Sequence, residues 1–399
     1  LDRDLARVRR EFPVVGRCVY LISNSLGAMP RRARQGLERF LSLWDREGVT
    51  AWQKEWWDLG LRVGDKVAKL IGAGPGQVTM MTHATQAHWV ALSTRFLWPA
   101  RSRRRKIVLS DQDFPSSLYA VESVCRMMNW EPVVLSGLDP EPLLRAMDER
   151  TLFVATSHVH FKTSAVQDIG AICRRARAVG ALSLIDGYHA PGAIPVNMKK
   201  LEADFYIGGC LKWLCGGPGA AFLFVRPEIA AVEKPLLTGW AGHRRPFLFN
   251  QRMEYADKSR RFQSGTPAVP SLYAAQAGLD TIEEIGLAQI RRKSLRLTGR
   301  IMARAEERRF PLLTPREDSR RGGHVAFHVP NTFQLKQALE AQGIKLDYRK
   351  GRTEEADLLR AGPHFYNKEE EVEILFRELD RLLSSGTYKK YPSSVRSVT

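Results

Sequence analysis

Two short stretches decide the fold of this chain: LIDGYHAPGAIP at positions 184–195 and GGCLKWLCGGPG at 208–219. In the first, the apolar run ALSLI leads into Asp186, and His189 follows three residues on. An apolar strand ending in a carboxylate sets that carboxylate at the C-terminal edge of a sheet, where open α/β folds bind ligands. Buried there, it needs a cation. The same pattern is also that of an aspartate capping the next turn beside an ordinary, satisfied histidine. In the second stretch, Lys212 follows the apolar run FYIGGC, sits between Leu211 and Trp213 and leads into GGPG. A lysine in apolar surroundings loses its proton more easily and becomes nucleophilic.

An aspartate that keeps a pyridine nitrogen protonated and a lysine that binds an aldehyde are the two anchors of a pyridoxal phosphate (PLP) site. Working outward, the other parts of such a site can be sought. THATQAHW provides a strand-to-helix turn at Ala84 and Thr85, whose free amides suit a phosphate. Thr85 reads equally well as a helix N-cap. DFPSS offers Phe114 as an aromatic lid, or as a core residue.

The flanking segments set the architecture. GQVTMMT, KIVLS, EPVVLS, TLFVATSHVHF, ALSLIDG, ADFYIGG and AAFLFVRP read as short apolar strands. LRVGDKVAKLIGA, ATQAHWVALSTRFL, SSLYAVESVCRMM, PEPLLRAMD and IGAICRRARAVG have helical spacing between them. The alternation predicts an α/β three-layer sandwich around a mostly parallel sheet. Beyond 285, long amphipathic helices (AQIRRKSLRLTGRIMARAEERR, TFQLKQALEAQG, KEEEVEILFRELDRLL) surround the strands HVAFHV and IKLDYR, as in a smaller α+β domain. The expected division is an N-terminal arm (1–45) packing with the small domain, a large cofactor-binding domain (46–285), a small C-terminal domain (286–385) and a disordered tail (386–399).

The Asp-x-x-His plus Lys pattern, SHVHFKT (157–163) and GPGAAFLFV (217–225) resemble the class V branch of the fold-type I PLP enzymes. Within it, YLISNSLGAMP, WWDLGLRVGDKVAKLIGA, DFPSSLYAVES, GWAGH and FQSGTPAV are most similar to kynureninase, and the resemblance runs over nearly all of the chain to about 380. It implies the fold-type I architecture and a homodimer with its active site at the subunit interface. It implies that Lys212 carries the cofactor and that Asp186 pairs with the pyridine nitrogen, with His189 beside it. Ala84, Thr85, Trp240 and Thr266 would bind the phosphate, the last two from the second subunit. Phe114 would cover the ring and Ser157 would line the site. LLRAGPHFYN matches a motif whose arginine grips the substrate's α-carboxylate, here Arg360, and a guanidinium fork suits a carboxylate. Asn24 and Ser25 match a stretch that lines the substrate pocket. The implied reaction is hydrolysis of the Cβ–Cγ bond of kynurenine or 3-hydroxykynurenine, giving anthranilate or 3-hydroxyanthranilate plus alanine, in tryptophan catabolism.

One position departs. Kynureninases carry a tyrosine just before the lysine, whose hydroxyl contacts the phosphate and is implicated in proton transfer, and here that position is Leu211. Tyr188, His160 and His243 are candidates for its role. The departure keeps open another class V reaction: transamination, epimerisation or C–S lysis. A persulfide route lacks its thiol, because no cysteine follows Cys215.

Composition narrows the classes. With 399 residues, 44% of them hydrophobic, the chain can bury a sizeable core. The net charge of +18 raises the question of nucleic acid, but the basic residues are spread along the chain. The densest run, RSRRRK at 101–106, interleaves no aromatics and reads as a solvated loop. No nucleic-acid partner is expected, and the charge equally suits anionic small molecules. The five cysteines are scattered and odd in number, as buried free thiols would be. His158 and His160 would share one face of a strand, a pair of potential ligands, but no HExxH or neighbouring cysteine accompanies them and no metal is expected. No apolar run is long enough to span a membrane, the N-terminus LDRDLARVRREFP is too charged for a signal peptide, and a cytoplasmic location is expected.

Overall fold

The computed structural model describes residues 2–97, 103–351, 353 and 356–393. Its centre is a seven-stranded sheet built from β2 (Val78–Met81), β3 (Lys106–Ser110), β4 (Glu131–Leu135), β5 (Thr151–Ser157), β6 (Leu182–Asp186), β7 (Phe205–Gly209) and β8 (Ala221–Val225). The strand order is β2-β8-β7-β6-β5-β3-β4. The pairings from β4 through β3, β5 and β6 to β7 are all parallel, and β8 runs antiparallel to both its neighbours. The residues of β5, β6, β7 and β8 are all buried, because helices cover both faces. This is why these strands read as continuous apolar runs rather than alternating ones.

The parallel strands end at a common edge, and their loops carry the polar groups of interest. Ser157 and Asp186 are register partners at the ends of β5 and β6. The strand expected over TLFVATSHVHF stops at Ser157. There the His158 amide donates to the Asp186 carbonyl (2.7 Å), and the chain turns away.

A second sheet, β11-β12-β9, is antiparallel and made of β9 (Val325–Phe327), β11 (Asp347–Arg349) and β12 (Leu358–Ala361). Helices Leu287–Glu307, Thr332–Ala341 and Glu369–Ser385 share its core through Leu297, Ile301, Leu335, Leu339, Leu375 and Leu379. IKLDYR divides into β10 (Ile344–Lys345) and β11, and β10 pairs in parallel with β1 (Val19–Tyr20).

The N-terminal segment is split between the two layers. Residues 19–22 run beside the small sheet, with Ile22 bridged to Gly362. Helix Arg31–Glu47 packs instead on helix Val269–Ile285 of the large layer, where Gly36 lets the backbones close: a Cβ there would lie 3.1 Å from the Tyr273 carbonyl oxygen.

Two surface expectations are corrected. In the basic run, residues 101 and 102 lie outside the described residues, but Arg104 bonds the carbonyls of Thr151 and Val179 (2.9 and 2.8 Å), and Lys106 opens β3 and pairs with Asp148 (2.6 Å). Carbonyls and a carboxylate near the start of the sheet hold these cations. The first part of the expected tail is ordered: Thr387–Lys390 forms a 3-10 turn, and the buried Tyr388 accepts from Asn331 Nδ2 (3.1 Å). Residues 394–399 lie outside the described residues.

Candidate active site

A cavity of about 230 Å³ opens at the C-terminal edge of the large sheet. One wall is the start of helix Ala84–Leu92. The helix cap is His83, whose Nδ1 accepts from the Gln86 amide (3.1 Å), so Thr85 is not the N-cap. Ala84 and Thr85 occupy the first turn facing the cavity. Their N–H groups have no acceptor within the helix, and the helix dipole favours an anion there.

The floor is Asp186, buried at the end of β6. Its Oδ1 accepts from the Tyr188 amide (2.9 Å) and its Oδ2 from the Ser117 hydroxyl (3.1 Å). Asp113 lies beneath, accepting from the amides of Ser157 (2.7 Å) and Ser110 (3.1 Å). Burial, with Asp186 nearby, raises its carboxyl to about 7. His88 also lines the cavity, its Nδ1 2.9 Å from the Ala84 carbonyl oxygen. Burial lowers its pKa, against the pull of Asp186.

Lys212 enters from the loop after β7, with Nζ 2.6 Å from His189 Nε2. The ammonium position lies 4.9 Å from the Tyr188 ring centroid and 5.8 Å from that of Phe114. Burial brings the lysine from 10.5 to about 7, helped by the cations Arg360 and Arg349 and opposed by Asp186. The same burial, with Lys212 beside it, holds His189 well below its usual value. The lysine therefore loses its proton near neutral pH, and the unprotonated amine is the state that can act as a nucleophile. Phe114 is 41% exposed, packs edge-on against Phe161 (5.3 Å) and lines the cavity. It is a wall of the cavity rather than core.

Close backbone packing fixes Lys212. Gly27 donates its amide to the Leu211 carbonyl (2.9 Å), and a Cβ on Gly27 would lie 2.0 Å from the Lys212 carbonyl oxygen. Leu211 itself lines the cavity.

Arg360 of β12 is 1% exposed and lies behind Phe161, 5.8 Å from that ring centroid. It donates to the Phe161 carbonyl and to Asp347, while Nε has no partner. Burial lowers the guanidinium to about 9. Asn24 is buried beside it, donating to Asp347 (3.2 Å), with Oδ1 unpartnered. Ser25 is partly buried, with its amide on the Ile22 carbonyl (2.9 Å).

The structure therefore gathers Ala84, Thr85, Phe114, Ser157, Asp186, His189 and Lys212 around one cavity. Trp240 and Thr266 are elsewhere in this chain. Thr266 lines a smaller cavity of about 110 Å³ with Thr82 and Gln86, and Trp240 is 37% exposed in a cluster with Trp57, Phe247 and Phe249. Ser117, His88, Asp113 and Asp347 were not singled out from the sequence. Ser117 lay within the DFPSS stretch, but nothing local marks it as the partner of Asp186.

The other polar candidates are placed as follows. His158 Nδ1 bonds the Tyr206 hydroxyl (2.9 Å), and the histidine lies in a loop rather than on a strand beside His160. Among the described residues, no three His, Cys, Asp or Glu side chains are grouped to hold a metal. His243 is engaged by the Arg245 amide (2.9 Å) and the Arg252 carbonyl (3.3 Å), outside the cavity lining. Tyr188 lines the cavity, but its hydroxyl lies against Gly209, where a Cβ would sit 2.4 Å from it. Burial lifts the thiols of Cys125, Cys173 and Cys210 to about 12. Among the described residues no helix is long and apolar enough to cross a membrane.

This chemistry fits PLP. His189 Nδ1 is buried without a partner on the cavity wall, and both the Asp186 carboxylate and the first turn of the helix at Ala84 and Thr85 line the same cavity. The pattern of the aminotransferase class-V family matches residues 25–375. Kynureninase from Pseudomonas fluorescens is 34% identical over 387 residues, covering 94% of this chain and 93% of that protein. Kynureninase from Burkholderia pseudomallei (strain 1106a) is 34% identical over 364 residues, covering 88% of this chain and 87% of that protein. Among solved structures, the apo cysteine desulfurase from Thermococcus onnurineus NA1 superposes with a TM-score of 0.83 at 22% identity, over 95% of this chain and 98% of that one. A lysine mutant of C-DES with glycine covalently linked to its PLP cofactor superposes with a TM-score of 0.80 at 20% identity, over 93% of this chain and 98% of that one. These likenesses and the built cavity lead to one conclusion: the chain belongs to the class-V aminotransferase family, has the fold-type I architecture, and is an enzyme whose cofactor is pyridoxal 5′-phosphate.

Proposed function

We propose that the protein is a hydrolase of the kynureninase type, cleaving the Cβ–Cγ bond of kynurenine or 3-hydroxykynurenine. The observation that carries this reading is the 34% identity to a kynureninase along nearly the full length of both chains, together with the cavity around Lys212. When bound, the cofactor supplies an electron sink for charge developing on the substrate amino acid.

The chain's own groups divide the remaining work. Ala84 and Thr85 hold the phosphate at the helix N-terminus. Asp186 keeps a proton on the pyridine nitrogen, and Ser117 and the Tyr188 amide fix the orientation of that carboxylate. Ser157, His189 and Phe114 line the cavity, where His189 would stand beside the ring of the cofactor and Phe114 would shield it from water. Lys212 holds the cofactor and, released from it, moves the proton at the substrate's α-carbon. Its depressed pKa, about 7, suits a base at neutral pH. Arg360 receives the α-carboxylate, with Asn24 and Ser25 beside it. Water supplies a hydroxyl to the acyl carbon and a proton to Cβ, so the products are an anthranilate and alanine.

A homodimer completes the site in this reading, with Trp240 and Thr266 reaching the phosphate of the other subunit. Supporting it, Trp240, Phe247 and Phe249 are 37%, 54% and 73% exposed in one aromatic cluster, and exposed apolar patches of this kind mark interfaces.

Leu211 favours a second reading. It lines the cavity where the resemblance places a proton-transferring tyrosine, and it can neither donate nor accept. Transamination, epimerisation or C–S lysis on the same scaffold needs no such group for water addition. The deciding experiment gives kynurenine to the PLP-loaded protein and identifies the products. Anthranilate and alanine in equal amounts are expected. Retained cofactor absorbance without anthranilate overturns the hydrolase in favour of the second reading.

A further inference from the structure

Asp347 and Arg360 face each other as register partners of β11 and β12. Arg349, two residues along β11, lies on the same face. The Asp347 carboxylate is saturated. Oδ2 accepts from Arg360 Nη2 and from Asn24 Nδ2 (3.2 Å), and Oδ1 accepts from Arg349 Nη1 (2.9 Å) and the Tyr348 amide (2.9 Å). Arg360 is pinned a second time by the Phe161 carbonyl, and Phe161 is itself a wall of the cavity. What these contacts leave over is Nε of Arg360 and Oδ1 of Asn24, both buried and both without a partner.

We propose that Asp347 is the positioning residue for substrate recognition: by holding Arg360 at Nη2, and Arg349 beside it, it turns the unpartnered Nε edge of Arg360 into a seat for one carboxylate of an α-amino acid. The charge count agrees. Arg360, fully buried, shares the one carboxylate of Asp347 with the partly exposed Arg349, so the group keeps one positive charge that a single carboxylate neutralises, and a buried cation calls for such pairing. The cross-strand register supplies the precision, because Asp347 and Arg360 are fixed by the ladder rather than by flexible loops. The inference rests on the role given above to Arg360 but not on hydrolysis, so the two fail separately.

The test uses the PLP-loaded protein and two amines, L-alanine and L-alaninamide, which differ only in the carboxylate. Each is titrated while the absorbance of the bound cofactor is followed. In Asp347→Asn, L-alanine is expected to bind roughly tenfold or more weakly, the scale of a lost charge-assisted hydrogen bond, while L-alaninamide binds as in the wild type. Asp347→Glu keeps the charge at a shifted distance and should restore part of the difference. Unchanged L-alanine affinity, or an equal loss for both amines, overturns the proposal. If Asp347→Asn does not retain cofactor, Asp347→Glu decides by the same comparison, since a loss not confined to L-alanine overturns it. A protein that makes no anthranilate yet shows the carboxylate-specific loss refutes the hydrolase and leaves this seat standing.

Discussion

Lys212 gives the site a signature that can be measured without turnover. In the cofactor-free protein its amine titrates near 7 when folded, against 10.5 when exposed, because burial and the cations Arg360 and Arg349 disfavour the charged form. Below about pH 7 both states carry the proton, and the buried charge is a constant burden on the fold. Between about 7 and 10.5 the unfolded chain binds a proton that the folded chain does not, so stability rises with pH. The slope from this one group is about 1 kcal/mol per pH unit just above 7 and approaches tenfold in the folding equilibrium, about 1.4 kcal/mol per unit, at higher pH. Substituting Lys212→Met removes the titration while leaving the other groups in place. Urea unfolding of both cofactor-free proteins at pH 6, 7, 8 and 9 isolates the effect as a difference. The Met variant should be the more stable at pH 6, with the wild type closing the gap by about 1 kcal/mol for each unit above 7. Parallel curves from pH 7 to 9 would falsify the reasoning, because Lys212 would then titrate as an ordinary exposed lysine.

Two further outcomes test the surroundings of the site. Gly27→Ala places a Cβ 2.0 Å from the Lys212 carbonyl oxygen and 3.1 Å from Cys215 Cα, so the N-terminal segment must move off the lysine loop. A loss of at least about 1–3 kcal/mol, as for other overpacked sites, with weakened cofactor retention, is expected in a thermal melt, and an unchanged melt contradicts the close approach. On the homodimer proposed above, Trp240→Ser should lower the sedimentation coefficient from that of two chains toward one and loosen the cofactor. A dimer of unaltered size with full cofactor would remove Trp240 from the interface.

Much of the architecture could be read from the linear chain. Strands buried on both faces are apolar along most of their length, and their C-terminal ends and the loops beyond carry polar residues, so KIVLS, ALSLIDG and ADFYIGG announced both the sheet and the edge where Asp186 and Lys212 lie. The antiparallel turn of β8 was not announced, since an apolar run carries no direction. At the helix start the cap is His83 rather than Thr85, because His83 is extended and its ring nitrogen reaches the Gln86 amide.

The residues that stayed hidden are those whose meaning depends on distant neighbours. Ser117 looked like any helix serine until β6 brought Asp186 within 3.1 Å. Nothing local marks Asp113 or Asp347, yet each is buried and accepts from another segment, Asp113 from the Ser157 amide and Asp347 from Arg360. The chemical kinds of group, the alternation of apolar strands with helix-spaced segments and the Asp-x-x-His plus Lys spacing are properties of the chain that survive in any conformation, and with the family resemblance they were enough for the fold and the cofactor. The depressed lysine, the saturated carboxylate of Asp347 and the unpartnered edge of Arg360 are not such properties. They arise from desolvation and cross-strand register, which exist only once the strands have paired and segments as distant as Asn24, Phe161 and Arg360 have packed together.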